Sequence, residues 1–218
     1  MGCHTAKQFV AAIIYADDLC LLAPSRSAMQ YLLRICQDYA DEWCILFNPK
    51  KSKSMIFGNA SKSFTFKPVE MNKVGLSIVD QWKYLGVMIK ADKRFSCSAN
   101  ESLSSFYRAS NSILNALNKP SEQIQMKLLY SCCIPILTYA CEVKTLSSKA
   151  MTSMNTAIND CIRKIFTFNR WESVRTLRMS FSYDSIYDIF AARQKSFLKY
   201  LPSLGNRILS TLSRVSGL

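Results

Sequence analysis

Two short apolar runs, residues 9–14 and 19–23, flank Tyr15, Ala16, Asp17 and Asp18 near the start of the chain. Strand-forming residues on both sides of a short polar step predict a β-hairpin with the two aspartates at or beside its turn. Pro24, Ser25, Arg26 and Ser27 then supply a helix start, and Met29, Leu32, Ile35, Cys36, Tyr39 and Trp43 recur at helical spacing. A helix is expected over about residues 27–43, stopped by Asn48 and Pro49. Further strands are expected at 54–58, 64–66, 76–79 and 84–89. From Asp92 onward the periodicity becomes helical throughout, over 102–118, 122–143, 149–166, 185–201 and 206–215, with Met154, Ile158, Ile162 and Ile165 on one helical face. The expected fold class is therefore α+β, with residues 1–91 mixed, residues 92–218 all-helical, and a boundary near 90–95. Internal repeats and low-complexity tracts are absent from the sequence.

Composition narrows the class. A chain of 218 residues that is 49% apolar has enough material for a core and is not a disordered segment. Its net charge of +13 points to a polyanion, either nucleic acid or an anionic membrane surface; a solvated basic surface without a fixed partner is the alternative. The nine cysteines are odd in number and form no C-x-x-C pair. Cys132 and Cys133 are adjacent, and Cys20, Cys36, Cys44, Cys141 and Cys161 sit in apolar runs, so free, buried thiols in a reducing compartment are expected. His4 is the single histidine, which argues against a zinc site. Asp17 and Asp18 interrupt the apolar stretch 9–23, and the run 128–143 is short and holds Pro135. No transmembrane segment or signal peptide is expected, and the location expected is intracellular, in cytoplasm or nucleus.

Adjacent carboxylates between two apolar strands repel one another, and burying them would cost several kcal/mol unless a cation offsets their charge. Hard oxygen ligands suit Mg²⁺, which takes one or two protein carboxylates and keeps its other positions for water and phosphate. In two-metal phosphoryl transfer, ions ~4 Å apart stabilise the attacking and leaving oxygens. A polar turn exposed to water is the plainer reading of the same dipeptide.

The flanking residues carry a resemblance. AIIYADDLCLLAPS resembles the active-site hairpin of reverse transcriptases, and its LLAPS tail is similar to the non-LTR (LINE-type) retrotransposon branch. FNPKKSKSMIF looks like the next palm motif of that family. YLGVMI, preceded by Trp82 and Lys83, looks like the strand pair that grips the primer end. IPILTYACE, followed by RKIF and SVR, is similar to the downstream thumb-side helices. The motifs stand in family order and span nearly the whole chain.

The resemblance implies a partial reverse-transcriptase palm over residues 1–91 (β-hairpin, helix, small antiparallel sheet) followed by an all-helical thumb-like region over 92–218. It implies RNA-directed DNA polymerase activity on an RNA template and DNA primer with Mg²⁺ as cofactor. Asp17 matches the aspartate that ligates the catalytic metals, and Asp18 matches the second member of the pair. Tyr15 matches the aromatic residue near the primer terminus, and Lys51 matches a lysine near the leaving pyrophosphate. A cation there would stabilise charge on the leaving group or give it a proton; a solvated lysine in a basic loop is the other reading of Lys51. Tyr84, Leu85 and Gly86 match the primer-grip motif, where a glycine allows close backbone approach to a strand of nucleic acid; a strand bend or bulge is the alternative.

The family's other metal-binding aspartate lies upstream of the hairpin, and the chain begins a few residues before it. The expectation is a fragment that retains template and primer binding but does not polymerise in isolation. Lys144 also departs from the pattern, standing where many relatives of the YACE segment carry tryptophan. Residues 151–218 carry ten Lys or Arg against four Asp or Glu. Arg163, Lys164, Arg170, Arg175 and Arg178 lie among Phe166, Phe168 and Trp171, a mixture that suits phosphate contacts with base stacking, although Phe166 and Trp171 read equally well as core. A non-catalytic nucleic-acid-binding module and an inert remnant of a degenerate element stay open beside the polymerase reading.

Overall fold

The computed structural model describes residues 2–5, 8–58, 67–91, 96–116, 120–144, 146–206 and 208–209. The fold is mixed α+β. Contacts divide it into two units: the described residues of Met1–Trp82, Ala91–Phe95 and Leu198–Leu218 form one, and those of Lys83–Lys90 and Ser96–Phe197 form the other. Among the described residues, no helix is long and apolar enough to cross a membrane.

In the first unit, β1 (Cys3–Thr5) pairs antiparallel with β2 (Gln8–Val10), and β3 (Ala12–Tyr15) pairs antiparallel with β4 (Asp18–Leu21). The apolar run 9–14 is thus divided at Ala11, whose carbonyl accepts from Leu22 N at 2.8 Å while the chain changes partner. Helix α1 (Arg26–Glu42) starts as expected, with Ser25 Oγ accepting from Ala28 N at 3.2 Å and so satisfying a free N–H of the first turn.

The stop of α1 is not at Asn48 and Pro49. Trp43 N donates to Tyr39 O at 3.0 Å, Ile45 N donates to Ala40 O at 2.8 Å, and Cys44 between them takes φ +54°. This left-handed closure consumes the last carbonyls of the helix and turns the chain out of it. Leu33 of α1 meets Val69, Met71 and Leu76 in a small core, with Leu21, Met29 and Phe47 packed against it.

Residues 67–72 run along α1 and are tied to it by side chains. Arg26 donates from Nε and Nη2 to the carbonyls of Lys67 and Pro68, each at 2.9 Å. The Gln30 amide donates to Glu70 O and accepts from Glu70 N, both at 2.8 Å. β6 (Glu70–Met71) pairs antiparallel with β7 (Val74–Gly75), whereas β5 (Lys53–Ser54) pairs parallel with β8 (Ser77–Ile78). Within this unit the single small antiparallel sheet expected from the resemblance is replaced, among the described residues, by separate two-stranded pairs, one of them parallel. The strand expected at 54–58 contracts to β5, and the one expected at 64–66 lies outside the described residues.

The strand expected at 84–89 is a hairpin: β9 (Gln81–Tyr84) and β10 (Val87–Lys90) are joined by Leu85 and Gly86. β11 (Ser96–Cys97) adds to β10 in the order β11-β10-β9, so the region after residue 92 is not purely helical. Then come α2 (Asn100–Leu114), α3 (Glu122–Leu128), a π-helical turn (Leu129–Cys133), α4 (Ile134–Thr138), α5 (Ser148–Ile165), α6 (Arg175–Ser180), α7 (Ile186–Tyr200) and a 3-10 turn (Leu201–Ser203). The helix expected over 206–215 falls mostly outside the described residues.

The stretch 122–143, expected as one helix, is interrupted because Pro135 offers no N–H to the carbonyl four residues back and its ring crowds that carbonyl. Ile134 N instead reaches Leu129 O, five residues back. The core of the second unit gathers Phe106 of α2, Met126 of α3, Leu137 of α4, and Met154, Ile158, Ile162 and Ile165 of α5, the face that the helical spacing marked. No disulfide joins the cysteines among the described residues; Cys133, Cys141 and Cys161 are buried, Cys20 and Cys36 only half-buried, and Cys44 is exposed, because it occupies the closing turn of α1.

Candidate catalytic hairpin and nucleic-acid interface

Tyr15 faces Asp18 as the last pair of the β3–β4 hairpin, which leaves Ala16 and Asp17 as a two-residue turn. Ala16 takes φ +51°, a left-handed conformation that costs a residue with a Cβ about 1–2 kcal/mol. Both aspartates are exposed, as is β3 along its whole length, with Ile14 71% and Tyr15 65% accessible. The burial that the apolar strands implied is absent along β3, although β4 beyond Asp18 is half-buried, with Leu21 packed on the core of the unit, and the carboxylate pair stands open to solvent. Among the described residues neither aspartate takes part in an ion pair; the pairs there join Lys83 to Glu101, Arg163 to Asp160 and Arg193 to Glu142.

Two accessible carboxylates are a donor set that fits one Mg²⁺ holding the rest of its shell as water and phosphate. No group of three or more His, Cys, Asp or Glu able to hold a metal occurs among the described residues. Lys51 lies in the same unit, on a turn organised by Asn48, whose Oδ1 accepts from Lys50 N at 3.0 Å and Lys51 N at 3.3 Å. The Lys51 side chain is exposed, and among the described residues no hydrogen bond or ion pair joins it to Asp17 or Asp18.

The YLG motif forms the turn of its hairpin. Leu85 at φ +45° and Gly86 at φ +76° are consecutive left-handed residues, the pattern that follows the right-handed twist of paired strands. Tyr139, just past α4, donates from Oη to Leu85 O at 3.0 Å. A Cβ on Gly86 would lie 2.8 Å from Tyr139 Cε1, so the glycine is what lets the ring approach the turn. Lys144 Nζ stands 5.7 Å from the Tyr139 ring centroid. Only 4% of Lys144 is accessible, and burial pushes its ammonium below the usual lysine range, with Cys97, Cys141, Glu101 and Glu142 acting the other way. A cation therefore packs where the resemblance puts an indole. Tyr139 was not singled out in the sequence; its only signal there is its place inside IPILTYACE.

The basic region divides by role. Arg163 is committed internally, through Nη1 to Asp160 Oδ1 at 2.8 Å and Nε to Glu172 O at 3.0 Å, and so anchors the loop between α5 and α6. Lys164, Arg170 and Arg175 are exposed and Arg178 is half-buried, and none of the four is ion-paired among the described residues. Phe166 packs on the core and leans on Phe168 and Phe181, with centroids 6.0 and 5.9 Å away. Trp171 does the opposite: 83% of it is accessible. A cavity of about 540 Å³ opens beside this region, and Arg163, Arg175 and Arg178 contribute to its wall.

No protein-family model matches this chain, and no curated protein matches it significantly.

Proposed function

We propose that the chain is the palm-and-thumb portion of a non-LTR retrotransposon reverse transcriptase, an RNA-directed DNA polymerase that engages an RNA template and DNA primer. The observation that carries this reading is the tight YADD hairpin, whose turn presents Asp17 and Asp18 to solvent, unpaired with any cation among the described residues. An exposed carboxylate pair on a two-residue turn is suited to holding Mg²⁺ against phosphate. Mg²⁺ there would polarise the phosphoryl group and offset charge on the leaving oxygen. Tyr15, on the last strand position before the turn, offers a ring to the primer terminus, and Lys51 supplies a cation for the departing pyrophosphate. The Tyr84-Leu85-Gly86 turn, held by Tyr139, serves as a rigid ledge for the primer strand. Lys164, Arg170, Arg175 and Arg178 meet phosphates without reading sequence, and Trp171 stacks on a base.

A non-catalytic nucleic-acid-binding module is the second reading, favoured by one observation. Among the described residues no group of three or more His, Cys, Asp or Glu that could hold a metal gathers at the hairpin or elsewhere. The experiment is primer extension with Mg²⁺ or Mn²⁺ by the 218-residue chain and by the same chain joined to the upstream palm of a LINE-type enzyme. Activity is expected only in the joined protein, and Asp17→Ala should abolish it; activity that survives Asp17→Ala rejects the polymerase reading. Binding of the chain alone to RNA or DNA single strands should weaken with salt at a log–log slope of about 3, as four phosphate contacts require. Salt-independent binding would reject the interface.

A further inference from the structure

Helix α1 is apolar on two sides. On one, Leu33 is buried against Val69, Met71 and Leu76. On the other, Tyr31, Ile35, Tyr39 and Trp43 are all exposed, Trp43 by 62%. Residues four apart stand one above the next on a helix, so these four side chains form a single continuous ridge. Its last two rings already touch, with the centroids of Tyr39 and Trp43 6.0 Å apart. A contiguous apolar ridge left in water marks a surface that another molecule covers. Ridges of this spacing are what helices use to pack on one another in their commonest crossing class.

Charge says what fits there. Two copies of a chain carrying +13 repel each other on approach. Helix α1 departs from that balance, with Arg26 and Arg34 against Asp38, Asp41 and Glu42. Arg34, Asp38 and Asp41 share one flank of the ridge, are exposed, and take part in no ion pair among the described residues. An antiparallel copy of α1, related by a twofold axis through the middle of the ridge, meets this surface with its own complement. Tyr31 of one copy then stands level with Trp43 of the other, and Ile35 with Tyr39. Arg34 stands level with the gap between Asp38 and Asp41 of the other copy, on the same flank, and the axis repeats that match. The exposed surface of these side chains is on the order of 600 Å² per copy, so the contact buries about 1,200 Å², the lower end for a specific interface.

We infer that two copies of the chain pair through α1, antiparallel about a twofold axis, with the two ridges packed together and Arg34 of each copy between Asp38 and Asp41 of the other. The test is sedimentation velocity of the whole chain, freed of nucleic acid, over a range of concentrations. A reversible dimer with a Kd on the order of 10–100 µM is expected for a contact of this size. Tyr39→Glu should leave a monomer at every concentration. Arg34→Glu should weaken pairing about tenfold or more, and so should Asp38→Lys combined with Asp41→Lys, because each sets like charges against one another. Mixing these two charge variants should restore pairing, since opposite charges then face each other on both sides of the axis. No folding defect can produce that recovery. A parent protein that stays monomeric overturns the inference and leaves the ridge to a different partner. A dimer that persists in Tyr39→Glu, or one indifferent to the charge variants, overturns it too. So does a mixture of the two charge variants that stays monomeric.

Discussion

Gly86→Ala tests the account of the YLG turn most directly. At φ +76° the new Cβ meets a left-handed backbone penalty of about 1–2 kcal/mol, partly offset by about 0.4–1 kcal/mol from the stiffer unfolded chain. It would also sit 2.8 Å from Tyr139 Cε1 and 3.2 Å from Tyr139 Oη, so the ring has to leave. The ring is 52% accessible and can swing out, at the loss of its 3.0 Å hydrogen bond to Leu85 O, about 0.5–1.5 kcal/mol. The total is about 1–3 kcal/mol, and a chain of this length melts about 2–4 °C lower per kcal/mol. Urea and thermal unfolding of Gly86→Ala, Tyr139→Ala and the double variant separate the two contributions. With Tyr139 removed, Gly86→Ala should cost only its backbone share, giving a coupling of about 1 kcal/mol. Gly58→Ala is the control, since among the described residues nothing lies within 4 Å of its added Cβ and, at φ +116°, only a backbone cost is expected. If Gly86→Ala costs the same with and without Tyr139, the ring is not the obstacle and the argument fails.

Two further outcomes follow from local chemistry. Ser147 Oγ accepts from Ala150 N at 3.2 Å at the start of α5, so Ser147→Ala should cost about 1 kcal/mol in urea unfolding, whereas Ser121→Ala, whose side chain makes no cap bond at α3, should cost almost nothing. Equal costs would refute the capping account. Burial pushes the Cys133 and Cys161 thiols up to about 11 from an ordinary 9.0, so the folded state prefers them protonated. Their contribution is complete below pH 9.0 and is lost as pH rises towards about 11. Melting curves across that window should fall less steeply for Cys161→Ala than for the parent, and an unchanged slope would reject the burial argument.

What could be read from the sequence was local. Ser25 announces the start of α1 because a cap acts within three residues, and the buried stripe of α5 follows from Met154, Ile158 and Ile162 at helical spacing. The YADD hairpin was equally legible, since two apolar runs around a polar step have few other solutions. The extent of α1 was legible to within a residue, but what stops it was not, because its left-handed closing residue is Cys44, where glycine or asparagine would have been the signal. The residue pattern alone read the YLG hairpin as one strand, where the resemblance implied a strand pair, because its turn is Leu85-Gly86, not the Asn-Gly or Asp-Gly that such turns prefer. Tyr139 acts on a turn 54 residues away, a separation over which spacing carries no information. Phe166 and Trp171 are both aromatic residues beside arginines; one packs on the core and the other is 83% accessible, a difference that only the path of the loop decides.

The Gln30 amide has a consequence beyond holding α1 in place. By meeting both the N–H and the C=O of Glu70, a side chain occupies the row of backbone groups that a neighbouring strand would otherwise take. β6 has β7 on one side and Gln30, standing in for a strand, on the other. Two-stranded ribbons with open edges are templates for pairing with another copy, the route to aggregation. The helix thus acts as a selvedge for the ribbon, and loss of that amide would appear as self-association of the protein before it appeared as unfolding.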